Sequence, residues 1–307
     1  MEHNGTSRQL RQPDGMAKLR ENLIRWALLA CASISVITTI AVVVTLFEES
    51  FSFFREVSVW EFLSGTKWTP TLVPRSFGIL PLLAGTLMIA LVSSVISIPF
   101  GLGSAVYLSE YAPKKMRRVL KPMLEVLAGI PSIVFGFFAL TFITPILQRI
   151  LPSTQIFNAL SAGIAVGIMT IPLVASVSED AMTAVPDSMR AGAFALGATR
   201  MEVTTGIVIP AAISGIGASF ILAISRAIGE TMIVAIAAGQ SPVLTLNPLQ
   251  SIQTMTGFMV NLSLGDIQQG TIEYKTVFAV GALLFLMTFA MNLMARVTIR
   301  RYKQSQK

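Results

Sequence analysis

Charged residues are scarce in this chain. They make up 13% of its 307 residues, whereas an average soluble domain carries about 25%. Apolar residues make up 53%, and a soluble globule of that composition could not cover its surface with polar groups. This composition excludes a soluble enzyme and a nucleic-acid-binding domain. The only cysteine, Cys31, leaves no internal disulfide possible and excludes a disulfide-stabilised secreted scaffold.

Catalytic and metal-binding motifs are missing as well. The sequence contains no GxxxxGK[ST] phosphate loop and no Cys/His metal cluster, and its only histidine is His3. No nucleophile is paired with a base. We therefore expect no catalytic residues, no metal site and no cofactor bound by this chain, and any energy source must be a partner or an ion gradient.

Long uncharged runs are what the sequence has in abundance. A helix needs about 20 such residues to span the hydrocarbon of a bilayer. Seven stretches contain no Asp, Glu, Lys or Arg: 26–47, 76–109, 126–148, 150–178, 203–225, 231–265 and 276–295. They predict an all-α integral membrane protein.

The distribution of basic residues predicts the orientation. Cytoplasmic loops are enriched in Lys and Arg, and 17 of the 23 basic residues fall in four alternate segments while five lie in the others. Both termini are then cytoplasmic and the number of spans is even, which predicts six transmembrane helices. The predicted spans are 24–47, 78–108, 123–148, 157–184, 207–238 and 276–298, within a domain of residues 24–300 between cytoplasmic tails 1–23 and 301–307.

Two of the three loops predicted on the outside are long. Loop 48–77 contains six aromatic residues that are interpreted as interfacial anchors rather than a ligand cage: Phe51, Phe53, Phe54, Trp60, Phe62 and Trp68. Loop 239–275 is too polar to span but has no charge before Asp266, which suggests a segment that dips into the membrane edge under a cover of protein.

Two charges interrupt the fifth predicted span. Each of Arg226 and Glu230 would cost roughly 2.5 to 3.5 kcal/mol near the centre of an inserted helix, and chains keep such residues where they face a cavity or a partner. At positions i and i+4 the two residues lie on one helical face, about 6 Å apart at Cβ, and can pair with each other. A loop between two short spans is rejected, because it would give seven spans and put the five C-terminal cations outside. A guanidinium matches phosphate oxygens, so Arg226 is predicted to contact an oxyanion and Glu230 to orient it. A structural ion pair between two helices is the alternative.

The third predicted span contains a helix break formed by Gly129, Pro131, Ser132 and Gly136. These residues could line a path and offer backbone N–H groups to an anion. Alternatively, they form a packing kink, since small residues and proline allow helices to approach closely. Glu125, just before the break, is expected to pair with the basic cluster near Lys121.

A cytoplasmic segment at 179–206 is amphipathic and breaks in its middle. Asp187 or Ser188 could cap a short helix, Gly197 suits the left-handed residue that ends one, and a second helix starts near Thr199. Two short helices would make a compact knob with Phe194 on its apolar side, suited to a groove of another protein. A loop packed on its own helices is the alternative.

The spacing of residues in the knob resembles the coupling motif of ABC importer permeases. That motif consists of EAA, three further residues, Gly, nine further residues and then Ile-x-Leu-Pro. Here Ala191-Gly192-Ala193 stands in place of EAA, Gly197 follows after three residues, and Ile207 begins the closing Ile-Val-Ile-Pro. The sequence departs from the motif at Ala191, Gly192 and Ile209, so the salt bridge that the motif's glutamate makes to the ATPase is not implied here. The coupling residues suggested by this resemblance are Asp187, Arg190, Ala191, Gly192, Ala193, Phe194, Gly197 and Pro210.

Further stretches are similar to the phosphate-specific (Pst) importer permeases. The more specific ones are Leu-Ala-Gly-Ile-Pro-Ser-Ile-Val-Phe-Gly at 127–136 and Ser-Arg-Ala-Ile-Gly-Glu-Thr-Met at 225–232. The long loop with Trp-Thr-Pro at 68–70 resembles the PstC-type subunit more than the PstA-type subunit. The resemblance covers about residues 24–300.

This resemblance implies a type I ABC importer permease in the bacterial inner membrane. The implied partners are a second, PstA-like permease, a PstB-like ATPase dimer that binds ATP and magnesium, and an external PstS-like phosphate-binding protein. The implied function is ATP-driven import of inorganic phosphate. The alternatives are another oxyanion (phosphonate, sulfate or molybdate) and, from a different class, an ion-coupled secondary carrier.

Overall fold

The protein is almost entirely helical. The structure is a computed structural model that describes residues 15–305, so the predicted tail residues 1–14 and 306–307 lie outside the described residues. The helices are α1 (Gly15–Phe54), α2 (Val59–Ser64), α3 (Leu80–Val106), α4 (Lys114–Gly129), α5 (Ser132–Phe138), α6 (Thr144–Ile150), α7 (Ala159–Thr183), α8 (Asp187–Ala195), α9 (Arg200–Val203), α10 (Ile209–Ile228), α11 (Met232–Ala237), α12 (Met255–Ser263) and α13 (Ile272–Ser305). Short π-helical turns at Tyr107–Tyr111, Ala139–Ile143 and Thr204–Val208 extend or join them.

Six segments of the described chain are long and apolar enough to cross a membrane, which confirms the predicted number. They are Leu19–Phe54, Leu80–Tyr111, Ser132–Ile150, Ala159–Thr183, Arg200–Ile228 and Ile272–Ala295. The bounds of all six predicted spans differ from the observed ones, and the largest differences are at the start of the third span and the end of the fifth. The third starts at Ser132 rather than 123 because Pro131 separates it from α4, and the fifth ends at Ile228 rather than 238 because the chain leaves the helix at Gly229.

The chain divides into two compact units, residues 1–48 and 49–307. The described part of the first unit belongs to α1, which begins at Gly15 and so includes residues that the sequence assigned to a tail. Most of its side chains between Leu19 and Glu49 are exposed. Exposed apolar side chains on a spanning helix are expected where lipid or another subunit covers them.

The second unit is centred on α3 and α7, which run in the same direction. Glycines allow the two helices to approach closely: a Cβ added at Gly101 would lie 2.6 Å from Val174 Cβ, and one added at Gly163 would lie 2.6 Å from Val92 Cβ. Small residues at a membrane helix interface have this effect in general. A core of buried apolar side chains from α3, α5, α7, α10 and α11 forms around this contact.

The outer loop 48–77 folds into a small packed layer. Strand β1 (Trp68–Thr69) pairs antiparallel with β2 (Ser76–Phe77), and Trp68 packs edge-to-face on Phe62 and on Phe258 of α12. The prediction that the loop's aromatic residues are all interfacial anchors is wrong for three of them: Phe53, Phe62 and Trp68 are buried in this layer. The segment before and within α12 is also buried, with Ile252, Met255 and Phe258 in the interior.

Candidate translocation site

The break between α4 and α5 follows from proline chemistry. The residue before a proline is disfavoured in helical conformation, and Ile130 is extended (φ −67°, ψ 128°), as is Pro131 (φ −58°, ψ 136°). The predicted helix break is therefore confirmed. Gly129 has open space beside it, whereas a Cβ on Gly136 would lie 3.0 Å from Ile236 Cδ1 of α11. The end of α4, before the break, therefore has free space beside it, whereas α5, after the break, is packed tightly on α11.

A second break separates α10 from α11 and changes the geometry expected of Arg226 and Glu230. Helix α10 ends at Ile228, so Glu230 lies outside it and the two residues do not share a helical face. The structure records no ion pair between them within the described chain. The prediction of an i, i+4 pair is wrong because it assumed a helix that continues through Gly229.

The surroundings of Glu230 hold this second break in place. Its Oε1 accepts a hydrogen bond of 3.4 Å from the backbone N–H of Ile233 in the first turn of α11. Its backbone carbonyl accepts one of 2.6 Å from the hydroxyl of Thr256 in the first turn of α12. Glu230 is buried, and its two hydrogen bonds join the start of α11 to α12.

Arg226 lines a cavity of about 230 Å³ between α4, α7 and α10. Four ionisable side chains converge there: Lys121, Glu125, Glu179 and Arg226. The other lining residues are Leu108, Leu124, Ala128, Met169, Pro172, Leu173 and Ser176. Gly129, Pro131, Ser132 and Gly136 are not among the lining residues, although Ala128 brings the cavity to the edge of the break. We name this space the Arg226 cavity.

A buried carboxylate fixes one wall of the Arg226 cavity. Glu179 of α7, whose side chain is only 1% exposed, accepts hydrogen bonds from Arg117 and, at 2.8 Å, from Lys121 Nζ of α4. Lys121 also contacts Asp180 at 3.3 Å. Its hydrogen bond to Glu179 raises the pKa of Lys121 above its ordinary value, so the ammonium stays charged at neutral pH.

Glu125 does not pair with the basic cluster as predicted. Lys121, one helical turn before it, is bonded instead to Glu179 and Asp180. Within the part of the chain that the structure describes, Glu125 has neither an ion pair nor a side-chain hydrogen bond. The carboxylate is exposed and lines the same cavity as Arg226.

The sequence interpretation missed Glu179 and the cations that bind it. Glu179 immediately follows the long uncharged run 150–178, and a charge so close to a span was the available signal. Its partners Arg117 and Lys121 precede it by 62 and 58 residues, a separation that local patterns do not reveal.

The predicted knob, residues 187–206, forms as two short helices around a glycine. Gly197 has φ +85°, as predicted for the left-handed residue between them. Thr199 caps α9 in a reciprocal arrangement with Glu202. Asp187 is the first residue of α8 rather than its cap, and its carboxylate accepts a 3.2 Å hydrogen bond from Arg190.

Arg190 ties the knob to the rest of the second unit. It donates a 3.1 Å hydrogen bond to Glu110, beside the end of α3, and a 2.7 Å bond to the carbonyl of Met182 at the end of α7. Ala193 packs inward, whereas Ala191 and Gly192 are exposed.

The residues that the structure describes leave an apolar surface of the knob uncovered. The exposed fraction is 46% for Phe194 and 90% for Leu196, and Pro210 at the start of α10 is also exposed. The alternative of a loop packed entirely on its own helices therefore does not apply to this face.

The arrangement of spans and knob matches a known family. Residues 97–304 match the family described as "Binding-protein-dependent transport system inner membrane component". The chain is 33% identical, over 97% of its length and 95% of the relative's, to "Probable ABC transporter permease protein YqgH" of Bacillus subtilis (strain 168). It is 32% identical, over 80% of both chains, to "Phosphate transport system permease protein PstC" of Xylella fastidiosa (strain 9a5c).

Solved structures share the fold. A bacterial ABC transporter involved in the import of the acidic polysaccharide alginate aligns with 92% of this chain and 99% of its own, with a TM-score of 0.63 and 16% identity. The MetNI methionine ABC transporter in an inward-facing conformation aligns with 72% of this chain and 94% of its own, with a TM-score of 0.52 and 18% identity. This chain belongs to the binding-protein-dependent transport system inner membrane components and is a multi-pass inner-membrane permease subunit of an ABC transporter.

Proposed function

We propose that this permease carries inorganic phosphate as part of an ATP-driven importer. Several relatives at about 30% identity are named as phosphate permeases, whereas the Bacillus subtilis relative carries no substrate in its name. The observation that carries the proposal is the placement of Arg226 and Lys121 on one cavity. A guanidinium binds the oxygens of phosphate through two parallel hydrogen bonds and stays charged at any physiological pH.

In this proposal Arg226 is the residue that contacts the anion. Lys121 adds positive potential but is held by Glu179, so it attracts the anion without leaving its helix contact. Glu230 acts indirectly: by holding the start of α11 it fixes where α10 ends and hence where Arg226 lies.

The break between α4 and α5 allows these two helices to change their relative orientation. Gly129, Pro131 and Ser132 separate α4 from α5 on one side of the path, and Gly136 anchors α5 on α11 beyond the break. We propose that α4 and α5 reorient about these residues as the path opens and closes, with backbone N–H groups near the break available to the passing anion.

The knob is the proposed contact with an ATPase. Phe194 and Leu196 are exposed on a compact two-helix unit, and such a unit fits a groove in a partner protein. In the complete complex we propose a second, PstA-like permease, a PstB-like ATPase dimer that binds the ATP and magnesium, and an external PstS-like binding protein. This chain itself binds no cofactor in the proposal.

Uptake by the reconstituted complex tests the substrate assignment. Proteoliposomes containing both permeases, the ATPase dimer and the binding protein should accumulate labelled phosphate when ATP is hydrolysed, and a non-hydrolysable ATP analogue should abolish uptake. Accumulation of sulfate, molybdate or a phosphonate in place of phosphate would contradict the assignment. Uptake driven by an ion gradient without ATP would indicate a secondary carrier.

Co-purification tests the proposed coupling surface. A Phe194→Ser substitution should weaken recovery of the ATPase with this chain because it removes exposed apolar area from the knob. Met116→Ser is a matched control, because Met116 is 44% exposed, close to the 46% of Phe194, but lies on α4. Equal recovery of the ATPase with both variants would contradict the coupling role.

A further inference from the structure

Glu125 is an uncompensated carboxylate beside the proposed anion site. It lines the Arg226 cavity together with Lys121, yet the ammonium of Lys121 is bonded to Glu179 and Asp180. No cation is bonded to Glu125 among the described residues. A negative charge at this point weakens the attraction of any anion to Arg226. The carboxylate is useful there only if it also makes a favourable contact with the anion that is transported.

Glu125 also lines a second space. A more open groove of about 440 Å³ lies along α4, and its lining comprises Lys114, Arg117, Arg118, Lys121, Pro122 and Glu125. The groove is rich in cations, and Lys121 and Glu125 are the two residues that it shares with the Arg226 cavity. Glu125 is therefore placed to meet an anion in either space.

The effect of a carboxylate on an anion depends on whether that anion carries a proton. Phosphate and phosphonates keep a proton on one oxygen near neutral pH, and that O–H can donate a hydrogen bond to a carboxylate. Sulfate and molybdate have no such proton, so the carboxylate only repels them. Hydrogen bonds to charged groups are about twice as strong as those between neutral groups, so one such contact is enough to discriminate.

We propose that Glu125 is a specificity-determining residue that accepts a hydrogen bond from the protonated oxygen of an oxyanion held at Arg226. It selects singly protonated phosphate or phosphonate over fully deprotonated oxyanions of the same shape. This inference rests on the proposed function, since it takes the Arg226 cavity as part of the anion's path. It adds a selection step within the membrane subunit, independent of the external binding protein.

Cysteine protection measures binding in the cavity without that binding protein. In a Cys31→Ser background, Ser176→Cys would place the only thiol of this chain on the cavity wall, and its labelling is followed on the band of this chain. The rate of its reaction with a membrane-impermeant maleimide is measured in the purified permease–ATPase complex while phosphate or sulfate is titrated. Phosphate should slow the reaction at a concentration about tenfold or more below that of sulfate, the effect expected of one hydrogen bond to a charged group.

Three variants isolate the carboxylate. Glu125→Gln should bring the two protecting concentrations together, because sulfate is no longer repelled and phosphate loses its charged acceptor. Glu125→Asp should keep the preference for phosphate. Asp180→Asn is the matched control: it removes the same charge next to Lys121, but Asp180 does not line the cavity, so the preference should be unchanged.

The outcomes separate this inference from the proposed function. Equal protection by phosphate and sulfate in the unsubstituted chain, no protection by either anion, or an unchanged preference in Glu125→Gln would each overturn the role of Glu125. Phosphate uptake by the complete complex would still support the proposed function in those cases. A complex that fails to import phosphate but shows the predicted protection pattern would overturn the substrate assignment alone.

Discussion

Replacing both cations that neutralise Glu179 should loosen α4 from α7. In the double variant Arg117→Met/Lys121→Met the carboxylate of Glu179, 1% exposed, loses both of its cationic partners. Removing the partners of a buried charge costs about 3 to 5 kcal/mol. Since 1.4 kcal/mol is a factor of ten, α4 should open about a hundredfold to a few thousandfold more often.

Replacing the carboxylate instead of the two cations should destabilise the contact of α4 with α7 much less. In Glu179→Gln the two cations lose their carboxylate, but their side chains are 37% and 34% exposed and can recover hydration. After that exposure is allowed for, the expected loss is about 1 kcal/mol. The asymmetry between the two substitutions follows from burial, because both remove the same ion pairs.

Hydrogen exchange of the α4 backbone, residues 114–129, measures this opening directly. The double variant should lose about two to three orders of magnitude of protection and Glu179→Gln about one or less. Lys115→Met/Arg118→Met removes the same charge from the same helix, but neither residue has a recorded ion pair in the described chain, so this control should keep its protection. Equal losses in the double variant and in Glu179→Gln would refute the reasoning.

Two glycine substitutions test other parts of the fold. Gly197→Ala should weaken ATPase recovery with this chain, because φ +85° costs a residue with a Cβ about 1 to 2 kcal/mol. Gly217→Ala, in open space on α10 outside the knob, is the control and should not weaken it; equal recovery would argue against a fixed knob. Gly101→Ala should lower the melting temperature, because its Cβ would meet Val174 at 2.6 Å and overpacking costs about 1 to 3 kcal/mol. Gly103→Ala has free space and serves as the control in the same thermal melt; matching melting temperatures would contradict the close contact of α3 and α7.

The number of spans could be predicted from sequence because a bilayer imposes a simple requirement. A span needs about 20 residues without charge, and that pattern is local. The break at Pro131 and the left-handed Gly197 could also be predicted, since each depends on the backbone chemistry of one residue. The capping box of Thr199 and Glu202 likewise depends only on residues that are close in the sequence.

The charged contacts of the site could not be predicted in this way. The spacing of Arg226 and Glu230 predicts one helical face, but a break at Gly229 separates them, and no single residue there forces a helix to end. The pairing of Glu179 with Arg117 joins residues 62 positions apart. Such contacts depend on how α4 packs on α7, which is a property of the folded chain.

The aromatic residues of the outer loop show the same limit. Trp60 and Trp68 lie in the same loop of the sequence, yet Trp60 is exposed and Trp68 is buried against Phe258. What separates them is contact with α12, nearly two hundred residues further along the chain. Composition alone assigned both to the membrane interface.

The central claim is that Arg226 contacts the anion during transport. Its most direct test is ATP-dependent uptake of labelled phosphate by the reconstituted complex carrying Arg226→Ala or Arg226→Lys, with ATP hydrolysis measured in the same vesicles. We expect Arg226→Ala to lose about tenfold or more of the uptake while the complex still assembles and hydrolyses ATP, and Arg226→Lys to retain part of it, since lysine keeps the charge but not the paired hydrogen bonds. Unchanged phosphate uptake in both variants would contradict the claim.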